Sequence, residues 1–595
     1  MNDFVAYLNS TNNIGGNSTG SLAESQVKSP FYDAVKVDRK IGNRIVTEIK
    51  SGVFKTYILT GHAGDGKTSI LVQVLKALEL LKPGEGLEIS RDYSELYYVK
   101  DMSEIPETRQ VELLEKSLQA PSNNKTGILI SNTGPLLRAF LTLAEEKTVR
   151  SGNDFSDEDK IELQSKILNQ LDKNEDKSIT ISGYEFTLVN IARVDNVSFA
   201  AKILKKILAP ELWEACSSCD SCDSCPVLMN QRLLSAQIDR VCDFVDNYYR
   251  YLYENDKRMT IRQMVGQLSY GITGNLTCEK ITSSFLKSPF FTYNFANLFF
   301  GHKGMSVDPD SKQIKGIDYI NSVGLENVAL SVDYRLFVNH DYSFFSQDIR
   351  DILEELSTAT RKHFQILEEA ADGVNGQYEK TARIRRAVRR FYLVFGREQE
   401  GFPVSEIYNQ IYGTNYMDYR KVITSVQPSS QFRKLQTVVF NALYIKNTGF
   451  LPASSSEMLL PLTLRREDEV YQSVLLILGE VHKSDIRIIA EKINSDLEDA
   501  DEKYNIFIQL DDVKFKLSLP MLNYFNNLIA GSVTSNNNPA LSHGIASLDT
   551  LLLEKYGEAK PGQEEDCEIS VIVNTTKGQK IKRFDFMGNK LYLVD

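Results

Sequence analysis

Residues Gly61-His62-Ala63-Gly64-Asp65-Gly66-Lys67-Thr68 fit the pattern G-x-x-x-x-G-K-[ST]. No other feature constrains the fold of this chain as strongly. The pattern works only where a strand enters the loop and a helix leaves it. Both are predicted here. Residues 53–60 are β-branched, aromatic and ended by glycine, which reads as a buried strand. Residues 67–81 keep Ile70, Leu71, Val74, Leu75, Leu78 and Leu81 at helical spacing, and Pro83-Gly84 is expected to stop that helix. Glycines let the backbone wrap a phosphate and turn several N–H groups inward. The helix start adds its positive dipole end. Lys67 is then expected to reach the β- and γ-phosphates of ATP. The Thr68 hydroxyl would ligate Mg²⁺, with Ser69 beside it in the first helical turn.

Three further apolar runs, 96–100, 127–131 and 186–191, read as strands of the same sheet. Helical patterns at 107–119 and 136–146 separate them. Strands alternating with helices predict an α/β core with a parallel sheet covered on both faces. The polar segment 151–178 reads as an insertion on the rim.

ATP hydrolysis needs an acidic group at a strand end for Mg²⁺ and a polar group to position water. Asp101 ends the run Leu96-Tyr97-Tyr98-Val99-Lys100 and is the candidate Mg²⁺ ligand. Lys100 interrupts the apolar run, and no glutamate follows directly. Asp101 reads alternatively as the cap of the next turn. Glu104, three residues on, is a candidate to polarise water. Asn132, after Gly127-Ile128-Leu129-Ile130-Ser131, is a second candidate, or simply part of a strand-ending turn. Arg262 in Thr260-Ile261-Arg262-Gln263-Met264 could reach the γ-phosphate from a helical lid, or stand as a solvated helix arginine. Arg193 is a weaker candidate for the same role.

Cys216, Cys219, Cys222 and Cys225 form C-x₂-C-x₂-C-x₂-C-P within ten residues. Four thiolates at this spacing suit a tetrahedral zinc ion. The spacing also stands one residue short of an iron–sulfur run, and unligated thiols are the third reading. Cys242, Cys278 and Cys567 are isolated in the sequence. Trp213, the only tryptophan, is expected to pack under the knuckle. No histidine pair has metalloprotease spacing.

The chain has 595 residues, room for roughly three to five domains. Apolar content of 42% permits real cores. The net charge of −11 excludes a uniformly basic nucleic-acid coat but not a local basic face. Arg383, Arg385, Arg386, Arg389, Arg390 and Arg397 cluster around 384–395, and Arg383, Arg386, Arg390 and Arg397 fall near one helical face. Such a face could grip DNA phosphates, or pair with the acidic stretch 496–502 or a partner subunit. No charged leader precedes an apolar stretch, and the strongest apolar run, 474–478, is far too short to span a membrane. A cytoplasmic protein is expected. The predicted order is an N-terminal arm (1–50, polar to about Phe31), a nucleotide core (51–210), a cysteine knuckle (211–230), a helical lid region (231–345), a helical domain (346–470) and a mixed C-terminal domain (471–595). Strands at 506–510, 514–517, 569–573 and 591–594 and a helix at 548–556 are expected in the last.

Several pieces taken in order resemble one bacterial family. They are the glycine loop; Val99-Lys100-Asp101-Met102-Ser103-Glu104; Ile130-Ser131-Asn132-Thr133-Gly134-Pro135-Leu136; Val189-Asn190-Ile191-Ala192-Arg193; the tryptophan-then-cysteine knuckle ending Cys225-Pro226, with Asn230 downstream; and Tyr293-Asn294-Phe295-Ala296-Asn297-Leu298-Phe299-Phe300-Gly301. Their order is similar to that of the DptF-like ATPases of phosphorothioation-dependent DNA restriction systems. The resemblance spans roughly residues 30–400. It implies a P-loop NTPase core with an AAA+-like sheet, followed by helical domains and a mixed C-terminal domain. It also implies an ATP-driven subunit of an antiviral complex acting with DptG- and DptH-like partners on unmarked DNA. The imperfect acidic strand keeps open a nucleotide-binding switch or scaffold with little turnover.

Overall fold

In the computed structural model the run before the glycine loop is strand β1 (Thr56–Thr60), buried along its whole length. Five more strands join it: β2 (Ser90–Asp92), β3 (Leu96–Val99), β4 (Thr126–Ile130), β5 (Ser178–Ile181) and β6 (Tyr184–Asn190). Their order in the sheet is β2-β3-β4-β1-β6-β5. β3, β4, β1 and β6 are parallel, with Ile58 opposite Leu129 on one side and Leu188 on the other. The two edge strands run antiparallel to their neighbours, so the sheet is mixed and not wholly parallel as expected. β2 and β5 are three- and four-residue segments beside tight reversals, which allow antiparallel return only.

Alternation along β1 divides the core. Tyr57 and Leu59 face one layer with Ile128, Ile130 and Val189, under the helices Lys40–Lys50 and Lys67–Ala77. Ile58 faces the other with Leu129, Val99 and Leu188, under the helices Glu107–Gln119 and Thr133–Arg150. Each fully buried side chain of this kind contributes about 1.5–3 kcal/mol. The helix after the loop ends at Ala77, short of the expected 81, and Glu79 takes a positive φ of 59° there. The segment read as a rim insertion carries the helix Asp157–Lys173. Its Ile167 and Leu171 are buried in the second layer.

The structure describes residues 1–12, 27–354 and 375–595. Excepted within these are 83, 153, 174–176, 284–285, 287, 340, 400, 453–457, 464–473, 494–496, 498–502, 533–538, 558–565, 576–577, 588–589 and 595. The polar stretch 13–20, Pro83, the turn signals at 576–577 and 588–589, the asparagines at 536–538 and most of the acidic stretch 496–502 therefore lie outside the described residues.

Order does not begin near Phe31. Asp3–Thr11 is a helix whose N-cap Asn2 accepts from the Phe4 N–H, and Phe4, Val5 and Leu8 are buried. Phe4 meets Trp213 edge-on at 5.7 Å, so the tryptophan packs under the N-terminal helix. A helical region follows the sheet, including Pro226–Ala236, Ile238–Glu254 and Ile261–Thr273. It also holds a two-residue hairpin, β7 (His302–Lys303) with β8 (Ser306–Val307).

The arginine helix Asn375–Phe395 buries Ile384, Val388, Phe391 and Phe395, as its spacing suggests. Its basic residues do not form a free stripe. Arg390 is 1% exposed and pairs with Glu326 at 2.7 Å. Arg389 pairs with Asp333 at 2.5 Å, and Arg385 lies over the Phe337 ring. A DNA-gripping face that includes Arg390 is thereby corrected: its guanidinium belongs to the core.

The chain divides into two compact units, residues 1–407 with 494–501, and residues 408–493 with 502–595. This boundary falls inside the segment 346–470 that reads as one helical domain. The second unit contains a five-stranded antiparallel sheet, ordered β16-β15-β14-β10-β9. Its members are β9 (Leu459–Thr463), β10 (Val474–His482), β14 (Asp566–Thr575), β15 (Gly578–Met587) and β16 (Lys590–Leu593). β11 (Ile486–Lys492), β12 (Tyr504–Leu510) and β13 (Val513–Lys516) form a second sheet. Helices Ser429–Thr448, Leu519–Ile529 and Pro539–Tyr556 accompany them. Among the described residues no helix is long and apolar enough to cross a membrane.

Candidate nucleotide-binding site

The glycine loop joins the end of β1 to the helix Lys67–Ala77. Gly64 and Gly66 have φ of 89° and 91°, a region that side chains rarely adopt. A Cβ on Gly64 would lie 3.0 Å from Thr260 Oγ1 and 3.2 Å from Arg262 Cβ. The loop therefore sits directly under the segment 258–262.

Asp65 is fully buried and organises the loop. Its Oδ2 accepts from the His62 N–H at 2.8 Å, and its Oδ1 accepts from Arg258 at 2.5 Å. Arg258 also donates to the Ile191 and Val194 carbonyls at 3.1 and 3.3 Å. The Arg262 N–H reaches the Gly64 carbonyl at 3.4 Å. Sequence reasoning gave Asp65 only a place in the motif and missed Arg258. A residue 193 positions away carries no pattern that would reveal the pairing.

Lys67 is buried and folded back on its own loop, donating to the Gly61 carbonyl at 2.7 Å and the His62 carbonyl at 3.0 Å. Burial pushes its ammonium below the ordinary lysine value. Asp65 and Asp101 pull it back up, and the nearby Arg262 guanidinium pushes it down. Burial likewise lowers Arg262, and among the described residues no carboxylate forms an ion pair with it. Two incompletely neutralised cations thus share one loop, an arrangement that favours an anion. Thr68 and Ser69 occupy the first helical turn, Ala63 and His62 are exposed, and Gly61 closes β1.

β4 lies between β1 and β3, so the ends of all three strands come to one edge beside the loop. Asp101 follows β3 and accepts from the Ser103 N–H at 2.8 Å, while it also interacts electrostatically with Lys67. It caps a turn and faces the loop at once. Asn132 is exposed after β4, and its N–H donates to Ser103 Oγ at 3.4 Å. Glu104 is exposed and pairs with the buried Lys100 at 3.4 Å. Arg193 turns away to an exposed pair with Asp172 at 2.7 Å.

A cavity adjoins the loop, lined among others by Val37, Arg39, Gly66, Ser69, Ile203 and Ile261. Arg39 is 1% exposed, donates to the Asp65 carbonyl at 3.2 Å, and lies over the Phe199 ring. The cavity wall mixes the apolar Val37, Ile203 and Ile261 with the polar Asp38, Ser69 and Gln73.

The cysteine knuckle lies elsewhere in this unit. Cys225 caps the helix Pro226–Ala236, its sulfur accepting from the Leu228 N–H at 3.4 Å. Cys216 Sγ accepts from Asn2 Nδ2 at 3.3 Å. Burial pushes both thiols up. Cys278 is not isolated, because it lines the same small cavity as Cys216, Cys219, Cys222 and Cys225. Among the described residues no three His, Cys, Asp or Glu side chains form a ready-made metal-ligand group. Compared with protein-family models, with curated proteins and with solved structures, the chain gives no match in any of the three.

Proposed function

We propose that the chain binds ATP through a P-loop NTPase core of AAA+-like order and hydrolyses it with Mg²⁺. The observation that carries this reading is the meeting of Lys67, Arg262 and Asp101 at one glycine loop, with two cations lowered by burial. Phosphate oxygens would accept from the loop N–H groups of 64–68. Lys67 would leave the Gly61 and His62 carbonyls and reach the β- and γ-phosphates. Arg262 would meet the γ-phosphate from the helical region. Thr68 and Asp101 would hold Mg²⁺, which when bound would supply charge neutralisation for the phosphates. Asn132 or Glu104 would orient the attacking water.

The order of the motifs along the chain supports a DptF-like role in a bacterial DNA-restriction complex with DptG- and DptH-like partners. On that reading the protein meets DNA through partners more than through the helix Asn375–Phe395, whose Arg389 and Arg390 are engaged internally. One observation favours a second reading, a nucleotide switch with little turnover: Glu104 is held by Lys100.

Phosphate release from Mg-ATP by the purified full chain tests the first reading, alongside Lys67→Ala. Turnover lost in the variant supports it. Tight ATP binding without turnover, with or without DNA, selects the switch. No nucleotide binding at all overturns both.

A further inference from the structure

We propose that Arg258 is a positioning residue of the nucleotide site: by neutralising Asp65 inside the glycine loop, it lets that loop accept a phosphate chain. The inference rests on the nucleotide reading above and deepens it, because it makes phosphate binding depend on a segment outside the sheet.

Inward-turned N–H groups and a lysine favour an anion, whereas a carboxylate among them opposes it. Asp65 stands in the middle of the loop and is fully buried. Its Oδ2 accepts from the His62 N–H at 2.8 Å and lies 3.2 Å from where a Cβ on Gly61 would stand. The carboxylate thus sits against the backbone at Gly61 and His62, whose carbonyls hold the Lys67 ammonium at 2.7 and 3.0 Å. It also attracts Lys67 electrostatically. Left uncompensated, it would compete for Lys67 and repel a phosphate chain across a few ångströms of poorly solvated protein.

Arg258 supplies the compensation. Its Nη1 donates to Asp65 Oδ1 at 2.5 Å, while its Nη2 donates to the Ile191 and Val194 carbonyls at 3.1 and 3.3 Å. The guanidinium is therefore fixed just beyond the end of β6 as well as drawn to the acid. The segment around it is held too. The Met259 carbonyl accepts from Asn196 Nδ2 at 2.7 Å, Thr260 caps the helix Ile261–Thr273, and the Arg262 N–H reaches the Gly64 carbonyl at 3.4 Å. Gly64 permits this approach, since a Cβ there would stand 3.0 Å from Thr260 Oγ1. Docking of 258–262 thus sets a positive charge on the one carboxylate within 61–68. Lifting the segment would withdraw that charge and weaken the hold on phosphate. The docked segment is a control point for nucleotide.

The test is ATP binding to the full chain by titration calorimetry. Arg258→Ala should weaken ATP by at least about tenfold, the scale of one unit charge a few ångströms away at a partly buried site. Adding Asp65→Asn to that variant should restore most of the affinity, although it does not restore the stability of the pair. A role in stability alone would move both quantities the same way. Arg258→Lys keeps the charge and gives up the fork, so it should stay within about threefold of the wild type. It carries the test if Arg258→Ala does not fold. Unchanged ATP binding in Arg258→Ala, or no recovery in the double variant, overturns the inference and leaves the nucleotide reading standing. So does a folded Arg258→Lys that loses about tenfold or more. A wild-type chain that binds no ATP overturns the nucleotide reading itself, and this inference with it.

Discussion

Arg258 donates to the carboxylate of Asp65 at 2.5 Å, joining the segment before the helix Ile261–Thr273 to the middle of the glycine loop. The pair is nearly closed to solvent, with Asp65 fully buried and Arg258 15% exposed. Asp65 shares its other oxygen with the His62 N–H. The conformation of the glycine loop is therefore held from two sides, one local and one 193 residues distant.

Removing one member of such a pair leaves a buried charge without its partner, which typically costs about 3–5 kcal/mol. Arg258→Ala should lower stability by about 3 kcal/mol, and Asp65→Asn by a similar amount. The double variant should lose less than the sum, with a coupling of about 2 kcal/mol. Denaturant unfolding of the four chains measures this. Strict additivity would show that the two groups do not sense each other.

Arg262 is offered to the loop without a carboxylate partner among the described residues, and burial lowers it. A charge-assisted contact to a terminal phosphate is worth about 1.5–3 kcal/mol, so Arg262→Ala should weaken ATP at least about tenfold. ADP, which lacks the γ-phosphate, should weaken less, and Arg262→Lys should recover part of the loss. Titration calorimetry with both nucleotides decides. Equal binding of ATP to variant and wild type would remove Arg262 from the site.

His302 gives a pH signature unrelated to nucleotide. Burial and the Arg390 charge push it down to about 4, against a weaker upward pull from Glu326. The imidazole is neutral in the folded chain, with Nδ1 against the Phe300 carbonyl at 2.9 Å. Below the ordinary value of 6.5 the unfolded chain takes a proton that the folded chain refuses. Stability therefore falls as pH drops from 6.5 toward 4 and this contribution levels off beneath it. The full effect is about 3 kcal/mol, at about 1.4 kcal/mol for each tenfold. His302→Gln should flatten that part of the profile. Parallel unfolding profiles for variant and wild type over this range would contradict the shift.

What the sequence disclosed and what it withheld follow one physical division. β1, the loop and the following helix are local: glycine positions and apolar spacing suffice to place them. Strands β3, β4 and β6 were legible for the same reason. β2 was not, because Ser90-Arg91-Asp92 is short and polar and becomes a strand only by pairing with β3. The N-terminal helix escaped notice because Phe4 finds its partner, Trp213, in distant sequence. Arg390 reads as a surface charge until Glu326 and Asn297 close around it. Cys278 reads as solitary until the chain folds it beside the knuckle. Each is a tertiary pairing, and no periodicity encodes it.

The water-positioning group separates turnover from a switch, and the two candidates stand differently. Glu104 is exposed and already drawn to Lys100 at 3.4 Å, which holds its carboxylate away from base chemistry. Asn132 is tied by its N–H to Ser103 Oγ, beside the turn that Asp101 caps. It follows the strand between β1 and β3, where it can face both the loop and Asp101. Asn132→Ala should therefore lower kcat at least about tenfold with little change in ATP affinity, the mark of a contact made in the transition state. Glu104→Gln should change kcat by less than about threefold. Asp101→Asn should abolish Mg-dependent turnover while ATP still binds. Steady-state phosphate release with parallel binding measurements distinguishes them. A collapse of kcat in Glu104→Gln, with Asn132→Ala unaffected, would reverse the assignment. It would mean that nucleotide binding frees Glu104 from Lys100 before the water is attacked.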